Sequence, residues 1–190
     1  MRKLKLQIQI SIDGFVARPN GMLDWMTFIP DEQQMQYVND FTDAGDTILL
    51  GRKMADGFVN FWTSVVLNGQ ESPKYDFARK MVDTPKIVFT KTLDESPWAN
   101  TVLAKGDLVE EVKTLKAQEG KDIIVYGGVS FVSSLIKADL IDEYHLFVNP
   151  VMIGKGLRIF DEIGNTRKLQ LENATGFTNG VAVLFYGRVR

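Results

Sequence analysis

The order of hydrophobic periodicities along the chain leaves few folds open. Short runs of aliphatic and β-branched residues alternate with helix-period segments as far as residue 149, and two alternating runs joined by Thr178-Asn179-Gly180 close the sequence. Asn-Gly between alternating runs signals a tight hairpin, because both central residues of a type I′ turn take positive φ. Strands separated by helices can pair in parallel, whereas a hairpin must pair antiparallel. The expected architecture is an α/β fold with a mostly parallel central sheet, helices on both faces and an antiparallel C-terminal hairpin at one edge.

Leu4, Leu6, Ile8 and Ile10 alternate with Lys5, Gln7 and Gln9, which predicts a strand with one buried face and a polar face that calls for an explanation. Ser11–Ile29 carries Asp13-Gly14 and Pro19-Asn20-Gly21, with Pro30 beyond, and reads as a long loop over the end of that strand. Loops of such length inside a domain commonly carry function. Met35, Val38 and Phe41 predict a helix from about Asp31 to Asp43, stopped by Gly45. The run Thr47-Ile48-Leu49-Leu50 then meets Gly51-Arg52-Lys53-Met54 at a strand-to-helix junction, and residues 56–72 read as irregular.

Ser72-Pro73 supplies an N-cap and a first-turn proline for a short helix through about Met81. Lys86-Ile87-Val88-Phe89 is a buried strand, followed by Thr90-Lys91 and a turn-rich stretch around Pro97. Asp107 to Glu110 has the form of a capping box ahead of Leu108, Val112 and Leu115 at helical spacing, with Gly120 at the end. A strand at 122–126 runs into Gly127-Gly128 and a helix from about Val129 to Lys137; strands at 143–149, 168–176 and 181–189 follow.

One domain over residues 1–190 is the expected organisation for a chain of 190 residues, 45% hydrophobic and 24% charged. A net charge of −2 with dispersed Lys and Arg lacks the footprint of a nucleic-acid binder. The absence of Cys removes disulfides, thiolate metal sites and thiol catalysis, and fits a reducing cytoplasm; no metal site is expected. Met1 to Lys5 alternates charged and apolar residues without an apolar signal region, and no apolar run approaches the ~18 residues of a membrane span. The single histidine, His145, lies in a strand-like run, which argues against a His dyad or triad.

In an open α/β sheet, ligands bind beyond the carboxyl ends of the strands, where helix N-termini offer free N–H groups. Gly51-Arg52-Lys53-Met54 and Gly127-Gly128-Val129-Ser130 are two such places. The glycines serve either tight packing or the close approach of a phosphate; together the two turns could grip a dinucleotide pyrophosphate. G-x-G-x-x-G is missing, so a Rossmann site has no support, and Gly154-Lys155-Gly156 is a turn rather than a phosphate-binding loop. After strand 86–89 come Thr90 and Lys91, with no acid until Asp94, a pattern that leans toward a 2′-phosphate unless Lys91 is simply solvated.

Ser11-Ile12-Asp13-Gly14-Phe15-Val16-Ala17, Gly21, Trp25, Asp46 through Arg52, Tyr126-Gly127-Gly128, Asn149-Pro150-Val151, Gly154, Gly156 and Phe160 occur in an order that resembles the reductase domain of bacterial riboflavin biosynthesis. These are the 5-amino-6-(5-phosphoribosylamino)uracil reductases, and the resemblance places the chain in the dihydrofolate reductase superfamily. It implies a three-layer α/β/α dihydrofolate reductase-like fold, NADPH as hydride donor, a pteridine- or pyrimidine-like substrate and a homodimer. By the same resemblance Gly51, Arg52, Lys53 and Met54 contact the cofactor phosphates and ribose, Thr90 and Lys91 the 2′-phosphate, and Gly127, Gly128, Val129 and Ser130 the pyrophosphate. Phe131 takes the position of an aromatic beside the nicotinamide. Ile10, Trp25 and Phe147 are the candidates for the substrate.

Three departures bear on the substrate. Asp24-Trp25 stands where dihydrofolate reductases have Pro-Trp, and the family's helical acid falls on Glu32 when counted from Pro30 but on Met35 when counted back from Gly51. The zinc deaminase often fused to the riboflavin enzymes has no counterpart here, because its cysteines are missing. The candidate carboxylates are therefore Asp13, which is either a catalytic group or part of an Asp-Gly turn, then Asp31 and Glu32. Trp25 either covers the substrate or anchors the loop. The rival functions are a non-catalytic NADP-binding or regulatory protein and a purely structural dimeric module.

Overall fold

The computed structural model describes residues 1–27 and 29–189; Phe28, inside the loop read over Ser11–Ile29, lies outside the described residues. In chain order the elements are β1 (Leu4–Ser11), α1 (Glu32–Asp43), β2 (Gly45–Gly51), α2 (Arg52–Leu67), α3 (Tyr75–Asp83), β3 (Lys86–Phe89), β4 (Thr101–Ala104), α4 (Leu108–Ala117), β5 (Asp122–Val125), α5 (Val129–Lys137), β6 (Glu143–Asn149), β7 (Leu169–Gly176) and β8 (Ala182–Arg188). The strands form one sheet in the order β4-β3-β2-β5-β1-β6-β8-β7. All neighbours from β4 to β6 are parallel, while β8 runs antiparallel to both β6 and β7. The expected parallel sheet with an antiparallel C-terminal hairpin is the fold observed.

Helices cover both faces of the central strands, while β7 at the edge is exposed along nearly its whole length. Leu4, Leu6, Ile8 and Ile10 of β1 join Leu49, Ile123 and Val125 beneath Val112 of α4 and Val132, Leu135 and Ile136 of α5. On the other face Ile48, Leu50 and Val88 meet Ala55 and Phe58 of α2 and Met81 of α3. Tyr37 and Val38 of α1 pack on Phe147, Phe177, Val181 and Val183. Because β2 has a helix layer on both sides, its residues read as one continuous apolar run rather than an alternation.

The polar face of β1 has a structural explanation. Lys5 lies 2.8 Å from Asp122 and 3.4 Å from Glu143, on the strands to either side. Gln7 is level with His145, and Gln9 with Phe147. His145 is buried, holds the Tyr37 hydroxyl at 2.6 Å on Nδ1 and stacks on Phe185 at 4.3 Å. It belongs to the core.

Three expectations need correction. Residues 56–67 are helical, not irregular, and continue α2. Gly57, Asn60, Thr63 and Ser64 dilute its local helix preference, but Ala55, Phe58, Val59 and Trp62 fall on one face, and packing decides. The helix expected from Ser72-Pro73 begins instead at Tyr75. The Ser72 carbonyl accepts the Tyr75 N–H at 2.9 Å, forming a turn that delays the first helical residue. Within the stretch read as turn-rich, Thr101–Ala104 pairs with β3 as an edge strand. Four residues are too few for a periodicity to register.

Candidate active site

Two helix N-termini converge at the carboxyl ends of β2 and β5. Gly51 and Gly128 are the N-cap residues of α2 and α5, and neither helix has a side-chain cap. Their free N–H groups and partial positive charge therefore meet in one place. Gly127 and Gly128 have φ of +148° and +88°, which residues with a side chain rarely adopt. A Cβ on Gly128 would stand 3.5 Å from the Gly51 backbone, and one on Gly51 would stand 2.6 Å from Phe131 Cβ. Both turns are thus tightly packed and open to an anion at the same time, so the two roles considered for these glycines are compatible.

A cleft of about 810 Å³ begins at this point and runs over the sheet toward β1. It is lined by Gly51, Arg52, Lys53, Met54, Gly127, Gly128, Val129, Ser130 and Phe131, and farther along by Tyr126, Ile8, Gln9 and loop residues from Val16 to Met26. A second cavity of about 750 Å³ adjoins it over β3 and contains Thr90, Lys91 and Asp107; Arg52, Lys53, Phe89, Phe131 and Ser134 border both. All eleven residues singled out for the cofactor therefore line one continuous depression. It follows the strand order β3, β2, β5, β1.

The cations around it are not equivalent. Arg52 is drawn back by Asp56, 3.0 Å away, and lies over the ring of Trp98. Lys91 donates to the carbonyls of Lys105 and Gly106 at 2.5 and 2.8 Å. The Thr90 hydroxyl accepts the N–H of Thr92 at 3.1 Å within the turn after β3. Lys53 is exposed and has no ion pair among the described residues. Phe131 stacks obliquely on Phe89, 5.0 Å away, and stands at the junction of the cavities rather than at the β1 end.

The carboxylates lie elsewhere. Asp13 accepts from Ser11 Oγ at 2.6 Å and from the backbone N–H groups of Ile153 and Gly154 at 3.1 and 2.7 Å. Its pKa is lowered, above all by the Ser11 hydrogen bond. Asp31 caps α1 through Gln34 and takes both the N–H and the hydroxyl of Thr178. Glu32 is exposed in the first turn of α1. Among the described residues no Asp or Glu lines the cleft over β1. Of the residues assigned to the substrate, Phe147 is fully buried, and Ile10 and Trp25 are 8% and 7% exposed; none lines the cleft.

Sequence reasoning passed over Gln9, Tyr126 and the loop residues Asn20, Leu23 and Met26, which do line it. The signal for Gln9 was present: a polar residue on a strand that the topology makes central.

The RibD C-terminal domain family model matches residues 2–183. The Bacillus subtilis (strain 168) protein YyaP, uncharacterized by its name, is 31% identical over 186 residues, covering 97% of this chain and 94% of that protein. A putative riboflavin biosynthesis protein from Shewanella sp. PV-4 superposes with a TM-score of 0.73 at 24% identity over the full length of both chains. A diaminohydroxyphosphoribosylaminopyrimidine deaminase/5-amino-6-(5-phosphoribosylamino)uracil reductase from Thermotoga maritima gives a TM-score of 0.69 at 19% identity, covering 99% of this chain and 57% of that one. At these identities the two solved structures speak for the fold.

Proposed function

The chain belongs to the RibD C-terminal domain family, and from that premise we propose that it is an NADPH-dependent reductase of a pteridine- or pyrimidine-like heterocycle. The observation that carries the proposal is the convergence of two uncapped helix N-termini, α2 and α5, beside a cleft large enough for a dinucleotide and a small acceptor. The reductase activity in the name of the Thermotoga protein supports the same class of chemistry.

A bound reduced nicotinamide would supply the hydride. The chain's part is placement. Backbone N–H groups of Arg52 to Met54 and of Val129 and Ser130 hold the pyrophosphate, with Gly51 and Gly128 giving it room. Lys53, helped by Thr90 and Lys91, meets the 2′-phosphate in the cavity over β3. The cleft over β1, under the loop from Val16 to Met26, would receive the acceptor and keep water from it. The proposal includes a homodimer working in the cytoplasm; no helix among the described residues is long and apolar enough to cross a membrane.

Thermal unfolding with NADPH and with NADH tests the binding half. Saturation at a hundred times the dissociation constant stabilises by about 2.7 kcal/mol, since the ligand binds only the folded state. For a chain of 190 residues that is a rise of roughly 5–10 °C in Tm. NADH is expected to give less; no rise with NADPH sinks the proposal. Sedimentation of the free protein at twice the chain mass would bear out the dimer.

One observation favours a second reading, a protein that binds NADP without turning over: no acid lines the cleft among the described residues. NADPH oxidation on adding pteridines or uracils separates the two.

A further inference from the structure

Four polar groups beneath the cleft form a chain whose hydrogen-bond polarity is settled at one end. The backbone N–H of Thr27 can only donate, and it donates to Asn149 at 2.8 Å, so Oδ1 of Asn149 must face it. Nδ2 of Asn149 then donates to the Phe147 carbonyl at 3.1 Å and to Gln9 at 2.8 Å. A donor faces Gln9, so Gln9 must turn Oε1 toward Asn149. Asn149 is fully buried, which removes water as an alternative partner. What Gln9 keeps for the cleft is Nε2, two N–H donors with no partner among the described residues, on a residue that lines the cleft at the β1 end.

We propose that Gln9, held in this sense by Asn149, selects the substrate: it donates to a carbonyl oxygen or another acceptor on a neutral oxo-heterocycle and disfavours protonated amino-heterocycles. The proposal deepens the reductase reading and rests on it. A protonated 2-amino- or 2,4-diaminopyrimidine offers donors and a positive charge, and a carboxylate suits it. Here Asp13 and Asp31 are hydrogen-bonded elsewhere, Glu32 is exposed outside the cleft, and the cleft presents amide donors in their place. A donor that meets only another donor stays unsatisfied, and this is the strongest form of discrimination available to a small polar site. The inverted assignment, with Oε1 toward the cleft, would set Nε2 against Nδ2 of Asn149.

Lumazine and 2,4-diaminopteridine share one ring skeleton and exchange carbonyl acceptors for amino donors, so they are the probes. Binding of each is measured by calorimetry on the NADPH-saturated protein, for wild type, Gln9→Met and Gln9→Glu. NADPH affinity and Tm are recorded for each variant. Wild type is expected to prefer lumazine by about tenfold, as one neutral hydrogen bond allows. Gln9→Met should erase that preference, and Gln9→Glu should reverse it, especially at mildly acidic pH. An unchanged preference in Gln9→Met, a wild-type preference for 2,4-diaminopteridine, or no binding of either pteridine to a protein that binds NADPH overturns the inference alone. Failure of wild type to bind NADPH overturns the reading beneath it as well.

Discussion

Gly51 shows how little room the proposed phosphate site leaves. Its φ of −76° is open to any residue, so the demand for glycine comes from the neighbour, Phe131, and not from the backbone. Gly57 is the counter-case on the same helix, with nothing within 4 Å of an added Cβ. Gly51→Ala is expected to cost about 1–3 kcal/mol through overpacking and to weaken NADPH binding. Gly57→Ala should stabilise by about 0.5–1 kcal/mol by restricting the unfolded chain. Urea midpoints of the two variants check this, and effects of the same sign would show that Phe131 gives way. The sequence marks Gly51 as a turn glycine, but only the approach of Phe131 on α5 shows why it must stay a glycine.

Asp31 ties elements together. Its carboxylate caps α1 through Gln34 and also receives Thr178 of the turn between β7 and β8, so one side chain joins a helix start to the C-terminal hairpin. Asp13 does the same for the loop after β1 and the segment at Ile153 and Gly154. Asp31→Ala is expected to lower stability by about 1–2 kcal/mol as a lost cap, while NADPH affinity stays as in wild type. Chemical denaturation paired with a cofactor titration decides. Unchanged stability with lost affinity would return Asp31 to the site. An acid near a predicted helix start fits a cap and a catalytic group equally well in sequence, and what distinguishes them is a contact 147 residues away.

At the amino ends of the central strands, far from the proposed site, a charged group makes the stability of the fold sensitive to acid. Burial alone would raise the Glu143 carboxyl, but the His145 ring 3.6 Å away, the hydrogen bond from Lys3 at 2.6 Å and the charges of Lys5 and Lys3 outweigh it and hold the pKa at about 2. A carboxyl depressed below its ordinary 4.5 contributes stability at pH above about 4.5 and loses it as the pH falls toward 2. Its share is on the order of 3 kcal/mol. His145, lowered by burial, adds a loss in the same direction beginning below its ordinary 6.5. Denaturation midpoints across pH 2 to 7 should fall steeply in wild type and flatten below about 4.5 in Glu143→Gln; an equally steep acid limb would assign the loss to other groups. The alternation of strands and helices apart from α2 and β4, the parallel sheet with its hairpin and the two glycine turns were determined by the sequence alone, because they rest on local periodicity, turn chemistry and short motifs. Only the tertiary structure decided that residues 56–67 are helical, that Asp13 and Asp31 serve as ties, and that Gln9 rather than an acid faces the cleft. Each of these depends on which distant group arrives opposite, and spacing along the chain carries no record of that.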